Sequence, residues 1–139
     1  MNRCTIYQAG PLFSEAEREW HCKLATALQA TGHTVVWPGS LMTAADIKST
    51  ADPAKLIFHT CRDAIDHCAC VVAMLDGSPI DDGTAWEIGY AHAKGVPVYG
   101  IRTDFRNSGE TPGAKINAMI DGCLSGLAKD IDELVAFVL

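Results

Sequence analysis

A short acidic segment is the part of the sequence whose residue types are best suited to chemistry. Between residues 76 and 90 the chain carries four carboxylates, Asp76, Asp81, Asp82 and Glu87. The segment follows an apolar run and leads into a predicted helix, and a helix N-terminus favours negative charge by about 0.3–1 kcal/mol for each exposed group. We therefore expect Glu87 to be ionised near neutral pH, which suits a nucleophile better than a general acid.

The same segment also has a purely structural interpretation. Thr84 and Glu87 have the spacing of a capping box, in which Thr84 caps the helix and the Glu87 carboxylate folds back to a backbone amide. Asp81 and Asp82 would then only favour the helix dipole. On spacing alone, this interpretation is slightly favoured over the catalytic one.

Two other residues are compatible with either interpretation. A glycine inside a helix, such as Gly89, costs about 0.5–1 kcal/mol of stability relative to alanine. We therefore expect another part of the structure to lie close to the helix backbone at Gly89, and the simplest such neighbour is the sheet. Tyr7 lies near the end of the first predicted strand. A tyrosine there is typical of a half-buried core residue with a wet hydroxyl, but it also falls where a ligand would bind.

Familiar nucleotide and hydrolase motifs are absent from the sequence. No G-x-G-x-x-G follows the first predicted strand, and there is neither a Walker A lysine motif nor a G-x-S-x-G elbow. The six cysteines include no Cys-x-x-Cys pair, and their spacing to His59 and His67 fits no common zinc pattern. We therefore predict reduced, mostly buried cysteines and no metal site.

Composition and charge narrow the class of protein. The chain has 139 residues, of which 48% are hydrophobic and 20% charged, as expected for one globular domain over residues 1–139. A formal net charge of −6 provides no basic face of the kind that binds nucleic acid. No run approaches the ~20 apolar residues of a membrane span, and the first residues lack the hydrophobic region of a signal peptide. We expect a cytoplasmic protein with a small-molecule substrate.

Strand and helix signals alternate along the chain. β-Branched and apolar runs predict strands at residues 4–9, 33–37, 70–75 and 96–101. Capping signals and helical periodicity predict helices at residues 14–32, 52–67, 83–94 and 127–138. Loops are predicted at residues 40–51 and 102–113, and either a fifth strand or a helix start at residues 116–120.

This alternation predicts an α/β fold. Parallel strands joined by right-handed helical crossovers build a doubly wound sheet, flavodoxin-like or Rossmann-like, here with four to five mostly parallel strands and helices on both faces. Such sheets bind ligands beyond the carboxyl ends of their strands, near the point where the strand order reverses. The segments expected at that edge are residues 7–13, 76–87 and 102–117.

The segments at that edge also resemble those of a known family. The sequence resembles the nucleoside 2-deoxyribosyltransferases over about residues 4–120. The matching segments are residues 7–13, 75–77, 81–91, 94–98 and 116–119. The central motif, at residues 81–91, is fairly specific, and its combination with the first and last segments is more so.

The resemblance implies a role for each matched polar residue. Glu87 would attack the anomeric carbon and form a covalent glycosyl ester, and Tyr7 would position its carboxylate by a hydrogen bond. Asp81 would hold the sugar 5′-hydroxyl. Asn117 would reach into the active site of a neighbouring subunit, so the active unit would be at least a dimer, and Met119 would line the same shared site.

Three further positions complete the substrate site that the resemblance implies. Gly10 and Phe13 belong to the matching opening segment. Many family members contact the nucleobase through an aspartate on the helix before the third strand. Cys61 stands at that position here, and Asp63, two residues later, is the carboxylate nearest to it in sequence.

The activity implied by the resemblance is exchange of purine and pyrimidine bases on 2′-deoxyribonucleosides. A carboxylate can trap the oxocarbenium-like state of glycosyl transfer, and two displacements at one carbon retain its configuration. Neither a metal nor an organic cofactor is required. The expected partners are nucleosides, free nucleobases and further copies of the chain in a homo-oligomer, with no nucleic acid and no membrane.

Two other functions stay open on the sequence alone. One is hydrolysis of the same bond in a nucleoside 5′-monophosphate. Asp81 would repel the 5′-phosphate, which argues against this function. Arg102 and Arg106 would attract the phosphate if they lay close to it, and would then favour this function. The other is a non-catalytic, flavodoxin-like ligand-binding or signalling module. A phospho-receiver would need acidic residues after the first strand, where Ala9 and Gly10 stand.

Overall fold

A five-stranded, all-parallel sheet forms the centre of the structure, a computed structural model that describes residues 3–139. Residues 1–2, the start of the segment for which no signal peptide is expected, lie outside the described residues. The strands are β1 (Thr5–Ala9), β2 (Thr34–Val36), β3 (Cys70–Met74), β4 (Val98–Ile101) and β5 (Gly126–Ala128). Their order in the sheet is β2-β1-β3-β4-β5, so the order reverses between β1 and β3. The doubly wound α/β fold predicted from the sequence is confirmed.

Helices cover both faces of this sheet. They are α1 (Glu15–Ala30), α2 (Pro38–Leu41), α3 (Ala44–Ser49), α4 (Pro53–Asp66), α5 (Asp82–Ala93), α6 (Ala118–Asp121) and α7 (Ile131–Val138). β3 is central and all five of its residues are buried, which explains its uninterrupted apolar sequence. None of the helices in the described part of the chain is long and apolar enough to cross a membrane.

Apolar side chains on the two faces of the sheet form two separate cores. One core includes Leu24 of α1 and Leu134 of α7. The other includes Ile65 of α4, Ile88 of α5 and Tyr7 of β1. Tyr7 therefore points into the layer that contains α5, the helix that carries Glu87.

Two short segments differ from the sequence-based expectations, and a third adopts one of the two alternatives that the sequence left open. The predicted loop at residues 40–51 contains α3, which begins with a capping box between Thr43 and Asp46, and the end of α2. The predicted last helix is divided into β5 and α7, because Asp130 caps a helix that begins only at Ile131. For residues 116–120, the predicted helix start is the alternative that the structure shows: α6 begins at Ala118, with Asn117 as its N-cap.

His21 is a buried titratable side chain on α1. Its imidazole is fully buried against Trp37, with the ring centroids 5.4 Å apart. Among the described residues, neither ring nitrogen of His21 has a hydrogen-bond partner. Because burial without a partner favours the neutral ring, it lowers the pKa of His21 to about 4.

We expect His21 to make the protein sensitive to acid. An unfolded histidine has a pKa of about 6.5, so unfolding takes up a proton between that pH and about 4, and stability is lost as the pH falls through this range, by roughly 2–3 kcal/mol. The free energy of unfolding, measured by urea titration, should therefore fall less between pH 7 and pH 4.5 in His21→Leu than in the wild type. His92→Leu, at an exposed position of α5, is the matched control. Equal acid sensitivity in His21→Leu and the wild type would contradict this account.

Candidate active site

Tyr7 and Glu87 meet where α5 packs over the sheet. The two residues are 80 positions apart in the sequence, and the Tyr7 hydroxyl donates a hydrogen bond to Glu87 Oε2. The contact forms because α5 lies against β1 and β3, the two strands on either side of the order reversal. A carboxylate and a phenol are thereby held together at the position where doubly wound sheets bind ligands.

The start of α5 explains why Glu87 is free to make this contact. Asp81 is the N-cap, and its Oδ2 accepts hydrogen bonds from the Thr84 backbone amide and the Thr84 hydroxyl, both at 2.8 Å. The helix therefore begins earlier than a Thr84 cap would allow, and Glu87 lies in its second turn. The capping box that the spacing suggested is wrong, because the Glu87 carboxylate contacts Tyr7 and not the backbone at the helix start.

Burial changes the ionisation of the pair. It raises the pKa of Glu87 to about 7, opposed by the hydrogen bond from Tyr7 and assisted by the negative charge of Asp81. Burial therefore opposes the ionisation of Glu87 that the sequence led us to expect near neutral pH. Burial and the adjacent Glu87 hold the pKa of Tyr7 far above its ordinary value, so the phenol remains a hydrogen-bond donor.

A cavity of about 610 Å³ opens beside Glu87. Its lining includes Gly10 and Phe13 from the segment after β1, together with Asp81 and Glu87. The volume lies within the range of about 300–1,000 Å³ typical of small-molecule sites. Four of the residues implied by the family resemblance thus share one cavity, with Tyr7 buried behind Glu87.

Gly10 has a steric reason to be glycine. A Cβ atom at this position would lie 2.9 Å from Met74 Sδ and 3.0 Å from Met74 Cβ. A side chain at residue 10 would therefore displace the end of β3. The glycine lets the segment after β1 pass close to β3, and the chain then enters the cavity at Phe13, which is 82% exposed.

The position of Asp63 does not support a role in contacting the nucleobase. Its side chain is exposed and accepts a hydrogen bond of 2.9 Å from Arg62 Nη2, its neighbour in sequence. Asp63 does not line the cavity beside Glu87, whereas Cys61 does. Side chains two positions apart on a helix point to different faces, so the carboxylate of Asp63 cannot take the place of a group at residue 61.

Asn117 and Met119 lie away from Glu87 of the same chain. They line a second cavity of about 760 Å³, on a different side of α5, together with Ala85 and Gly89. The Asn117 side-chain amide donates to Glu110 Oε1 at 2.5 Å, and Met119 is 79% exposed. The structure thus separates these two residues from the cavity that contains Glu87.

The close approach expected at Gly89 does not occur within the chain. A Cβ atom at Gly89 would meet no other described atom within 4 Å, and the residue is exposed. Ala85, one helical turn earlier, lines the same cavity. This face of α5 therefore presents small residues to open space.

The two arginines considered as phosphate ligands are engaged elsewhere. Arg102 is 4% exposed, and its guanidinium donates to the backbone oxygens of Leu75, at 2.5 Å, and Gly77, at 3.0 Å. Arg106 pairs with Asp104 at 2.5 Å. Among the described residues, no lysine or arginine lines the cavity beside Glu87.

Sequence reasoning did not assign a function to the helical wall of this cavity. We call it the α4 wall; it consists of Ala54, Ile57, Phe58 and Cys61. These positions follow the i, i+3, i+4, i+7 spacing of one helix face, so the stripe itself is visible in the sequence. That the stripe faces a cavity and not the core depends on tertiary packing. Within residues 3–139, no group of three or more His, Cys, Asp or Glu side chains could hold a metal ion.

The fold and this site define an α/β protein with a carboxylate–phenol pair at the ligand-binding edge of its sheet. The sequence profile of the nucleoside 2-deoxyribosyltransferase family matches residues 6–119, which is most of the chain. The chain therefore belongs to the nucleoside 2-deoxyribosyltransferase family. A sequence search among curated proteins found no match.

Solved structures agree with this assignment. A conserved protein from Enterococcus faecalis V583 is 27% identical, with a TM-score of 0.82 over 97% of this chain and 96% of that one. A 2-deoxyribosyltransferase from Bacillus psychrosaccharolyticus is 25% identical, with a TM-score of 0.80 over 94% of this chain and 90% of that one. A CMP N-glycosidase from Clostridium botulinum is 18% identical, with a TM-score of 0.60 over 96% of each chain, and shares the fold.

Proposed function

We propose that the protein exchanges purine or pyrimidine bases on 2′-deoxyribonucleosides through a covalent glycosyl ester on Glu87. The observation that carries this proposal is the Tyr7–Glu87 hydrogen bond beside a largely apolar cavity, in a chain of the deoxyribosyltransferase family. The alternative, in which Glu87 caps its own helix, is not supported, because Asp81 is the N-cap of α5.

The proposed reaction consists of two displacements at C1′. A Glu87 oxygen forms a bond to C1′ while the C1′–N bond breaks, and the departing nucleobase keeps the electron pair and gains a proton. A ring nitrogen of a second nucleobase then attacks C1′, Glu87 leaves as a carboxylate, and the new base loses its proton. Tyr7 holds Oε2 through both steps, which leaves Oε1 for the sugar.

The apolar lining of the cavity favours transfer over hydrolysis. Phe13, Ile57, Phe58 and Trp86 line the same cavity as Glu87, and their side chains offer water no hydrogen-bonding group apart from the indole N–H of Trp86. With a nucleobase against these groups, water is excluded from C1′ and the ester survives until the second base attacks it.

The charge of the cavity favours a substrate with a free 5′-hydroxyl over a 5′-monophosphate. Asp81 lines the cavity, where a carboxylate can accept a hydrogen bond from a hydroxyl but repels a phosphate. Arg102 and Arg106 do not offset that repulsion, since the first is bound to backbone oxygens and the second to Asp104. Hydrolysis of a nucleotide is therefore the less favoured function.

One experiment separates transfer, hydrolysis and simple binding. The protein is incubated with thymidine in the presence and absence of adenine, and the products are separated by chromatography. Formation of deoxyadenosine supports transfer. Release of thymine at the same rate with and without adenine, and no new nucleoside, indicates hydrolysis. No product from thymidine or from its 5′-monophosphate indicates a binding module and contradicts the proposal.

Asp81→Asn is expected to weaken the preference for a free 5′-hydroxyl. Asparagine is an equally good N-cap, so α5 should be retained while one negative charge is lost. We expect kcat/KM for thymidine to fall by about tenfold, and the ratio of thymidine to thymidine 5′-monophosphate turnover to fall by at least about as much. Asp132→Asn, at an exposed position of α7, is the control. An unchanged ratio would remove Asp81 from the sugar site.

We further propose that the enzyme is a homo-oligomer in which Asn117 of one copy completes the site of another. Asn117 and Met119 are exposed on the far side of α5 from the Glu87 cavity. Ala85 and Gly89 leave space beside them for a second chain.

Mixing two inactive variants tests this shared site. Glu87→Gln and Asn117→Ala are each expected to have little activity. After the two are mixed under conditions that exchange subunits, some sites combine an intact Glu87 with an intact Asn117, and activity should rise several-fold. Each variant passed alone through the same exchange is the control. If the mixture gains nothing, or the protein sediments as a monomer while active, Asn117 does not act across subunits.

A further inference from the structure

We propose that the α4 wall and Trp86 select the nucleobase by shape and stacking, and not by its pattern of hydrogen-bonding groups. Within this surface, Phe58 and Trp86 provide the stacking faces, and Cys61 is the one residue of the α4 wall whose side chain carries a polar group. The inference takes the identity of the ligand from the proposed function and specifies how the site would recognise it.

The α4 wall presents apolar groups that the fold itself does not bury. Ile57 and Phe58 are 41% and 43% exposed, although they lie on the same helix face as Cys61. The helix packs into the core one turn further on, through fully buried Ile65. Exposed apolar side chains beside a reactive carboxylate are best explained by a ligand with an apolar face.

Phe58 and Trp86 form an ordered aromatic pair at this wall. Their ring centroids are 5.3 Å apart, with the planes inclined by 65°. Trp86 also stacks on Tyr90, with centroids 5.1 Å apart and planes 9° from parallel, and the Tyr90 hydroxyl donates to Asp66 at 2.7 Å. The contacts on α4 and α5 therefore fix the rings before a ligand arrives. A planar heterocycle can stack on such rings whichever substituents it carries.

Cys61 provides only weak polar discrimination. Its side chain lies next to the Tyr7 hydroxyl, and burial raises the pKa of the thiol, which therefore stays neutral. A thiol is both a weak donor and a weak acceptor, so it favours neither an amino nor a carbonyl group on the nucleobase. The other acidic side chains of the cavity, Asp81 and Glu87, are assigned to the sugar in the proposed reaction.

The expected consequence is a broad choice of acceptor. A site that hydrogen-bonds a specific group rejects its analogues by about 10⁴–10⁵-fold, whereas an apolar site discriminates by only about 10–200-fold. Adenine and hypoxanthine have the same shape but carry an amino and a carbonyl group at the same ring position. We therefore expect their kcat/KM values as acceptors to lie within about tenfold of each other.

The test compares these two acceptors with one donor, thymidine. Cys61→Asp places a carboxylate on the α4 wall, which can accept a hydrogen bond from the amino group of adenine but repels the carbonyl group of hypoxanthine. The ratio of kcat/KM for adenine to kcat/KM for hypoxanthine should therefore rise by about tenfold or more. Both acceptors react with the same glycosyl-enzyme, so an effect of the new charge on Glu87 cancels in the ratio. Phe58→Ala should lower kcat/KM for both acceptors alike, by about tenfold. Cys22→Asp, at an exposed position of α1, should leave the ratio unchanged.

A binding measurement separates this inference from the proposed function. Titration calorimetry of adenine and hypoxanthine into Glu87→Gln measures nucleobase recognition without any reaction. If the wild type shows no exchange but Glu87→Gln binds both bases similarly and Phe58→Ala reduces both affinities, the proposed function fails and the inference stands. A preference of more than about a hundredfold in the wild type, unchanged ratios in Cys61→Asp, or no binding and no exchange of either base would each overturn the inference.

Discussion

Glu87→Gln is expected to lower the rate of base exchange by about 10³-fold or more. The amide has nearly the shape of the carboxyl group and can still accept a hydrogen bond from Tyr7, but it cannot form a glycosyl ester. The measurement is the rate at which a new nucleoside appears from thymidine and adenine. Glu19→Gln, at an exposed position of α1, is the matched control and should retain the wild-type rate.

The same substitution should stabilise the protein above neutral pH. Burial raises the pKa of Glu87 to about 7, whereas an unfolded glutamate has a pKa of about 4.3. A carboxyl group with a raised pKa is favoured in its protonated form, so its contribution to stability is present below pH 4.3 and is lost as the pH rises through 7. Glu87→Gln avoids this loss and should gain about 1–3 kcal/mol of unfolding free energy at pH 8.5, but little at pH 4.

These two results together distinguish a nucleophile from a helix cap. A capping glutamate stabilises its helix, so its replacement would lower stability at pH 8.5 and leave turnover intact. Glu87→Gln should instead be more stable and inactive, which is the usual relation between a functional site and the stability of the fold that holds it. A folded Glu87→Gln variant that retains exchange activity would end the assignment of Glu87 as the nucleophile.

The alternation of strands and helices and the helix layers on both faces of the sheet could be predicted because long, central elements have strong local signals. β3 is an uninterrupted apolar run since helices cover both its faces, and α1 has a capping box at Ser14 and Glu17. Short peripheral elements have weaker signals. β5 has only three residues and pairs on one side with β4, so its apolar residues merged with those of α7 in the sequence pattern.

The sequence predicted which residues belong to the candidate site better than it predicted how they are arranged. The acidic segment and the family resemblance identified Tyr7, Asp81 and Glu87. Spacing alone could not decide between a cap and a nucleophile, because the answer depends on which residue begins α5. The raised pKa of Glu87 was also beyond the sequence, since it follows from burial against elements far away in the chain.

Tyr7→Phe is expected to slow exchange by about 10–10²-fold at pH 7 and to shift its pH dependence. The hydrogen bond from Tyr7 stabilises the ionised form of Glu87 and so opposes the effect of burial. Without it, the pKa of Glu87 rises above about 7, and a smaller fraction of the enzyme carries an ionised nucleophile at neutral pH. The loss of activity should therefore be largest at low pH and smaller at pH 8.5.

The measurement is kcat/KM for thymidine between pH 5.5 and pH 9, which reports the ionisation of the free enzyme. In the wild type the acid limb should have its midpoint near the pKa of Glu87, about 7, because the ionised nucleophile predominates above it. In Tyr7→Phe the midpoint should lie at higher pH, while Tyr99→Phe, in the core on the other face of the sheet, should keep the wild-type midpoint. An unchanged acid limb together with reduced activity would mean that Tyr7 contributes only packing. A shifted limb, by contrast, requires the phenol to act on the ionisation of Glu87, which packing alone cannot do.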